Sequence, residues 1–190
     1  MRRGSGFSLV EVLVSIVVLS FGLLGMVGMQ ARALQANRDA RLQSSATVLA
    51  RELAEMIRGN KDIGLLATNN PYLGSFSSSP LVATTPKYCL SVGVTACANT
   101  TDIANSEMTE WLARVDSQLP GARVTACFDS DPYDGDGLPQ WDCTAGTDGV
   151  IFVKIGWTRG STDRSSANAN PLDRATRPSV IFPVTAGSAI

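Results

Sequence analysis

The sequence predicts an α+β protein: one long N-terminal helix, transmembrane in its first half, packed through its second half on a small antiparallel sheet with one additional helix. Three observations predict this. Residues 7–29 form an apolar run with a single charge, Glu11. A helical stripe then continues without proline to residue 58. Beyond it come one more helical stripe and three alternating or apolar runs, the order that produces a sheet with a helix to one side.

The apolar run is 23 residues long, about 35 Å as a helix, enough to cross a hydrocarbon core of about 30 Å. Arg2 and Arg3 precede it. Short basic flanks stay cytoplasmic, so the chain is expected to enter with its N-terminus inside and its remainder outside the cytoplasm. A secretory signal has a shorter apolar core followed by a small-residue cleavage site. Here the run is longer, and the small residue best placed for cleavage is Gly6, in front of it. A cut at the Leu24–Gln30 end, or an uncut signal anchor, are the alternatives. Glu11 is the informative residue, because a carboxylate in a membrane helix costs roughly 2.5–3.5 kcal/mol and is retained where it finds a partner.

The junction Gly6-Phe7-Ser8-Leu9-Val10-Glu11, basic before it and apolar after it, resembles the class III leader of type IV pilins and pseudopilins. The resemblance implies cleavage after Gly6 by a prepilin peptidase, N-methylation of Phe7, and an assembly role for Glu11. The run Gly22-Leu23-Leu24-Gly25-Met26-Val27-Gly28-Met29-Gln30 is similar to the PilV-type minor pilins, the type IV pilus modification proteins; the likeness covers roughly residues 4–60. It implies a minor subunit that helps to initiate pilus assembly in a tip complex and contributes to motility and adhesion. The implied partners are other minor pilins, the major pilin, a tip adhesin, the prepilin peptidase and the inner membrane. The implied location is a single-pass inner-membrane protein with a periplasmic C-terminal region, later at the pilus and cell surface. A minor pseudopilin of a type II secretion system shares the junction and is the alternative. Many pilins carry proline at the depth of Gly28; glycine here argues against a proline-type kink.

The chemistry of the junction is intelligible without the family. Cleavage leaves an amine on Phe7 just over one helical turn from Glu11. In a bundle, one helix's amine can face a neighbour's carboxylate, so two poorly solvated charges neutralise each other and set the register between subunits.

Residues 30–60 continue the helix. Leu34, Leu42, Ala46, Leu49, Leu53, Met56 and Ile57 share one stripe, charged residues occupy the other faces, and Gly59-Asn60 reads as a C-cap. Residues 60–87, rich in Asn, Ser, Thr, Pro and Gly, read as loop. Residues 88–94 read as a short strand or as a loop stapled by cysteine. Residues 106–119 read as the second helix, with Ser106 as N-cap and Met108, Trp111, Leu112, Val115 and Leu119 as its apolar face, ended by Pro120-Gly121. Strands are expected at 123–128, 150–157 and 179–184. Pro183 marks the last as an edge strand, and residues 162–178 read as a polar surface loop.

Cys89, Cys97, Cys127 and Cys143 permit three pairings. An even number of cysteines beyond a membrane segment favours disulfides in an oxidising compartment; zinc is the rival, against which neither gap has the short spacing of a zinc knuckle. Nearness in sequence pairs Cys89 with Cys97 and Cys127 with Cys143. Inside the second interval lies Asp129-Ser130-Asp131-Pro132-Tyr133-Asp134-Gly135-Asp136-Gly137. Asp129, Asp131, Asp134 and Asp136 are a weak calcium candidate without EF-hand spacing; a tight solvated turn with two Asp-Gly steps is the simpler reading.

The remaining composition narrows the function. The 16 Lys and Arg are scattered and net charge is −1, which leaves no footprint for nucleic acid. With no histidine, no phosphate loop and no nucleophile elbow, the sequence points away from an enzyme and implies no cofactor. The expected organisation is a leader at 1–6, a transmembrane and assembly helix at 7–29, its amphipathic continuation at 30–60, and an extracytoplasmic α+β region at 61–190.

Overall fold

The computed structural model describes residues 8–145, 149–160 and 172–187. The chain divides into two compact units, Met1–Arg41 and Leu42–Ile190. The 51-residue helix α1, Leu9–Gly59, contributes to both.

In the first unit every described residue is exposed. Leu34, placed on the sequence stripe, is 71% exposed: burial on α1 begins only at Leu42. From there Ala46, Leu49, Ala50, Leu53, Ala54 and Ile57 are buried at three- and four-residue steps, so one face of α1 enters the core of the second unit.

The second unit is an α+β fold. The short helix α2 (Lys61–Gly64) follows α1 directly. Strand β1 (Gly74–Phe76), helix α3 (Thr100–Gln118) and strands β2 (Arg123–Phe128) and β3 (Val150–Gly156) come next. Strands β4 (Arg159–Gly160) and β5 (Leu172–Asp173) pair with each other, and β6 (Val180–Thr185) closes the chain. The main sheet is antiparallel throughout, in the order β1-β2-β3-β6. Pro183 sits on edge strand β6, opposite Phe152, where its missing N–H costs no ladder bond. The buried faces of α1 and α3 join Val124, Ala126, Ile151, Val153, Ile155, Val180 and Val184 in one core. Trp111 is fully buried and donates its indole N–H to the Leu49 carbonyl at 2.9 Å, tying α3 to α1.

Four sequence expectations are corrected. Helix α3 starts six residues earlier than Ser106, because the Asn99 side chain accepts the Asp102 amide at 2.8 Å and caps it; Ser106 is buried in mid-helix. The end of α1 lacks a left-handed cap: Asn60 has φ −118°. Its amide bonds the Met56 carbonyl and its own carbonyl accepts from Ile63 and Gly64, so the chain turns straight into α2. The presumed loop at 60–87 contains α2 and β1. Within the surface loop expected at 162–178, Leu172–Asp173 is a strand, whereas residues 161–171 lie outside the described residues.

Candidate functional site: an exposed apolar helix and a stapled connection

The N-terminal part of α1 is the first candidate. Ser8 begins it, with its carbonyl accepting from the Glu11 amide at 3.0 Å and its hydroxyl accepting from the Val10 amide at 3.3 Å. Large side chains stand exposed around the whole circumference, Leu9 at 81% and Phe21 at 71% among them. A helix apolar on every side and covered on none is matched to lipid or to other helices, not to water. By length and composition it is able to cross a membrane.

Polar groups on this helix are few, and the Ser15 and Ser20 hydroxyls are satisfied within it. Ser15 Oγ donates to the Glu11 carbonyl and Ser20 Oγ to the Ile16 carbonyl, both at 2.7 Å. Glu11, Ser15 and Leu19 form one ridge, Val12, Ile16 and Ser20 the next; together they line a groove of 270 Å³. A Cβ built on Gly22, Gly25 or Gly28 meets nothing within 4 Å, so this stretch presents open backbone to a neighbour. Among the described residues, Glu11 has no ion-pair partner. Gly6 and Phe7 lie outside the described residues.

The second candidate is the connection between β2 and β3. The structure joins Cys127 to Cys143, with Cα atoms 6.4 Å apart, and Cys89 to Cys97, with Cα atoms 5.0 Å apart. The Cys89–Cys97 loop is anchored by the Lys87–Asp102 ion pair at 3.3 Å and carries exposed Leu90, Val92 and Val94. Within the other connection the four aspartates do not share a centre. Asp129 is buried, and its Oδ2 lies 2.6 Å from Lys154 Nζ. Its Oδ1 accepts the Asp131 amide at 3.0 Å and the Thr144 amide at 2.9 Å. Asp134 Oδ1 accepts the Asp136 and Leu138 amides, and its Oδ2 pairs with Arg177. Asp131 and Asp136 are exposed. Cys127, Asp129 and Cys143 bring potential ligand atoms within 4.8 Å of one another, but both sulfurs are consumed by the disulfide and supply no thiolate.

Burial pushes the Asp129 carboxyl up; the bonds from Lys154 and from the Thr144 and Asp131 amides more than offset this and hold it below the usual range. The Leu138 amide, with Arg177 and the Asp136 amide, holds Asp134 low as well. Two of the four aspartates are thus paired with cations outside the connection, Asp129 with Lys154 and Asp134 with Arg177. Lys154 and Trp141 were missed in the sequence. The available signal was a lone cation in the apolar run Ile151-Phe152-Val153-Lys154-Ile155: a lysine on a buried strand requires a carboxylate opposite.

Two family models match the sequence. The prokaryotic N-terminal methylation motif covers residues 1–27. The type IV pilin Tt1218 model covers residues 28–111. Together they run without a gap from the leader through α1 and into α3. The protein is type IV pilin-like. No curated protein and no solved structure matches it. For a pilin-like chain the exposed helix has a plain physical meaning: a single span anchors it in a membrane, and the same surface is available to like helices. The methylation motif contains Gly6, Phe7 and Glu11. The pilin model ends within α3, so it takes in β1 but not β2–β6 or the stapled connection.

Proposed function

We propose that this pilin-like chain is a minor pilin of a type IV pilus, contributing to the initiation of assembly, motility and adhesion through a minor-subunit tip complex. The observation that carries the reading is the uncovered apolar half of α1, bearing one carboxylate four residues after Phe7 and preceded by a methylation-motif leader. In this reading residues 1–6 are removed by a prepilin peptidase and Phe7 is methylated. Residues 7–29 serve as the inner-membrane anchor, N-terminus inside, and then as filament core. Glu11 pairs with the N-terminal amine of a neighbouring subunit. The pair relieves the cost of a lone acid in lipid, so the helix prefers neighbours to lipid. Residues 30–60 carry the extracytoplasmic α+β region. Other minor pilins, the major pilin and a tip adhesin are the partners. The Gly22–Gln30 run and the disulfide-stapled C-terminal part favour the pilus over the alternative, a minor pseudopilin of a type II secretion system. A structural subunit, with no catalytic role, fits this assignment.

Mass spectrometry of the mature N-terminus tests the reading. The expected chain begins at N-methylated Phe7. A chain beginning at Met1, or an unmodified Phe7, overturns both the pilin and the pseudopilin assignments.

A further inference from the structure

Lys154 and Asp129 form a fully buried ion pair with both side chains at 0% exposure. Two charges are thereby taken out of water. What they hold is specific. Lys154 stands on β3 opposite Thr125 of β2, on the sheet face away from the main core. Its Nζ reaches Asp129 Oδ2 and donates to the Asp142 carbonyl, each at 2.6 Å. Asp129 in turn collects the Asp131 and Thr144 amides. One ammonium and one carboxylate therefore fasten the connection just after β2 (Asp129, Asp131) and again beside Cys143 (Asp142, Thr144). The disulfide constrains only its own two positions, Cys127 and Cys143.

Trp141, packed on the same face, completes the arrangement. Its ring lies 4.1 Å from the Arg123 guanidinium carbon, and a Cβ on Gly156 would come within 2.9 Å of it. Residues 141–144 are thus laid on the sheet by the tryptophan and by the ammonium together. Cys143 lies between Asp142, held by the ammonium, and Thr144, held by the Asp129 carboxylate, which places it beside Cys127.

We propose that the Lys154–Asp129 pair folds this connection and positions Cys143, and that the Cys127–Cys143 disulfide locks a connection already shaped. In the oxidation itself, one cysteine thiolate attacks a disulfide-bearing oxidant and expels one thiolate from it. The second cysteine then attacks the mixed disulfide and expels the other. Two protons and two electrons leave the protein, and one oxidant disulfide becomes two thiols. The ion pair contributes only proximity to the second attack.

The test uses the full chain in detergent, with glutathione disulfide as oxidant. One variant is Cys127→Ser/Cys143→Ser. The other is Asp129→Asn/Lys154→Met, which removes both charges, leaves none buried without a partner, and keeps an acceptor oxygen at position 129 for the two amides. Amide exchange at Asp131 and Thr144 is read in both. The closure rate of Cys127–Cys143 is read in the second, with Cys89–Cys97 as internal reference. The expected result is that the serine variant keeps both amides protected. The charge-removed variant is expected to exchange them about tenfold faster or more, and to close Cys127–Cys143 about tenfold more slowly at an unchanged Cys89–Cys97 rate. Loss of protection in the serine variant overturns the proposal. So does wild-type closure, or undiminished protection, in the charge-removed variant. If that variant slows both disulfides because the chain no longer folds, the serine variant decides alone: retained protection supports the proposal and lost protection overturns it.

Discussion

Glu11 and Asp129 are both carboxylates, and their surroundings separate their roles. Glu11 stands on an uncovered helix with no ion-pair partner among the described residues; Asp129 is enclosed with Lys154. For Glu11 the expected outcome is that Glu11→Val inserts into the membrane at least as well as the parent, since removing a charge eases insertion, but is absent from sheared filaments and minor-subunit complexes. Immunoblots of membrane and filament fractions check it, and normal incorporation would remove the assigned role. For Asp129 the sign follows from its lowered pKa. The folded protein holds the ionised form more tightly than the unfolded chain does. Its stabilisation is therefore present above the unfolded value of about 3.9 and is lost as pH falls through the lower folded value. Urea midpoints measured from neutral pH down to about pH 2.5 are expected to fall more steeply below about pH 4 in the parent than in Asp129→Asn.

At the scale of elements, period and composition located most of the second unit. Strand β2 matches the expected bounds, β3 and β6 match within a residue, and Met108, Trp111, Leu112 and Val115 on α3, with Leu119 just past its end, are buried as their spacing indicated. The start of α3 was misplaced because Ser106-Glu107 and Asn99-Thr100-Thr101-Asp102 are both credible caps locally. The choice falls to Asn99 because the extra turns bury Ala104 and Asn105 and bring Thr100, whose carbonyl accepts from Asn60 Nδ2 at 2.9 Å, against the end of α1. Asn99→Ala is expected to cost about 1 kcal/mol, a fall of roughly 2–4 °C in melting temperature for a chain of this size; Ser106→Ala should not weaken the helix start. Thermal denaturation of the two variants distinguishes the caps. Tyr72 illustrates a contact invisible to periodicity. Burial and then its hydrogen bond to Glu107 push its phenol above the usual range, and the two residues are 35 apart in sequence.

At the scale of the whole molecule, the two units carry different kinds of stability. The second unit buries its own apolar surface; the first leaves its apolar surface uncovered, so its proper environment is lipid or other helices. Deletion of the protein is expected to abolish twitching motility and surface pili and to leave exoprotein secretion intact. The reverse phenotype, lost secretion with pili intact, would assign the chain to a secretion pseudopilus instead. Motility plates, electron microscopy and secreted-protein profiles make the comparison.

The sequence alone determined the membrane-length apolar run, its single acid, the leader junction, the α+β class and the principal strands. Each of these is written in contiguous residues as a period, a composition or a motif. Only the tertiary structure decided where burial on α1 begins, which residue caps α3, and that the aspartates of the β2–β3 connection answer to a lysine and an arginine instead of to one centre. Those outcomes depend on which groups meet across the fold. A buried charge is tolerated only opposite its partner, and Lys154 and Asp129, 25 residues apart in the chain, become partners only once β2 and β3 are paired.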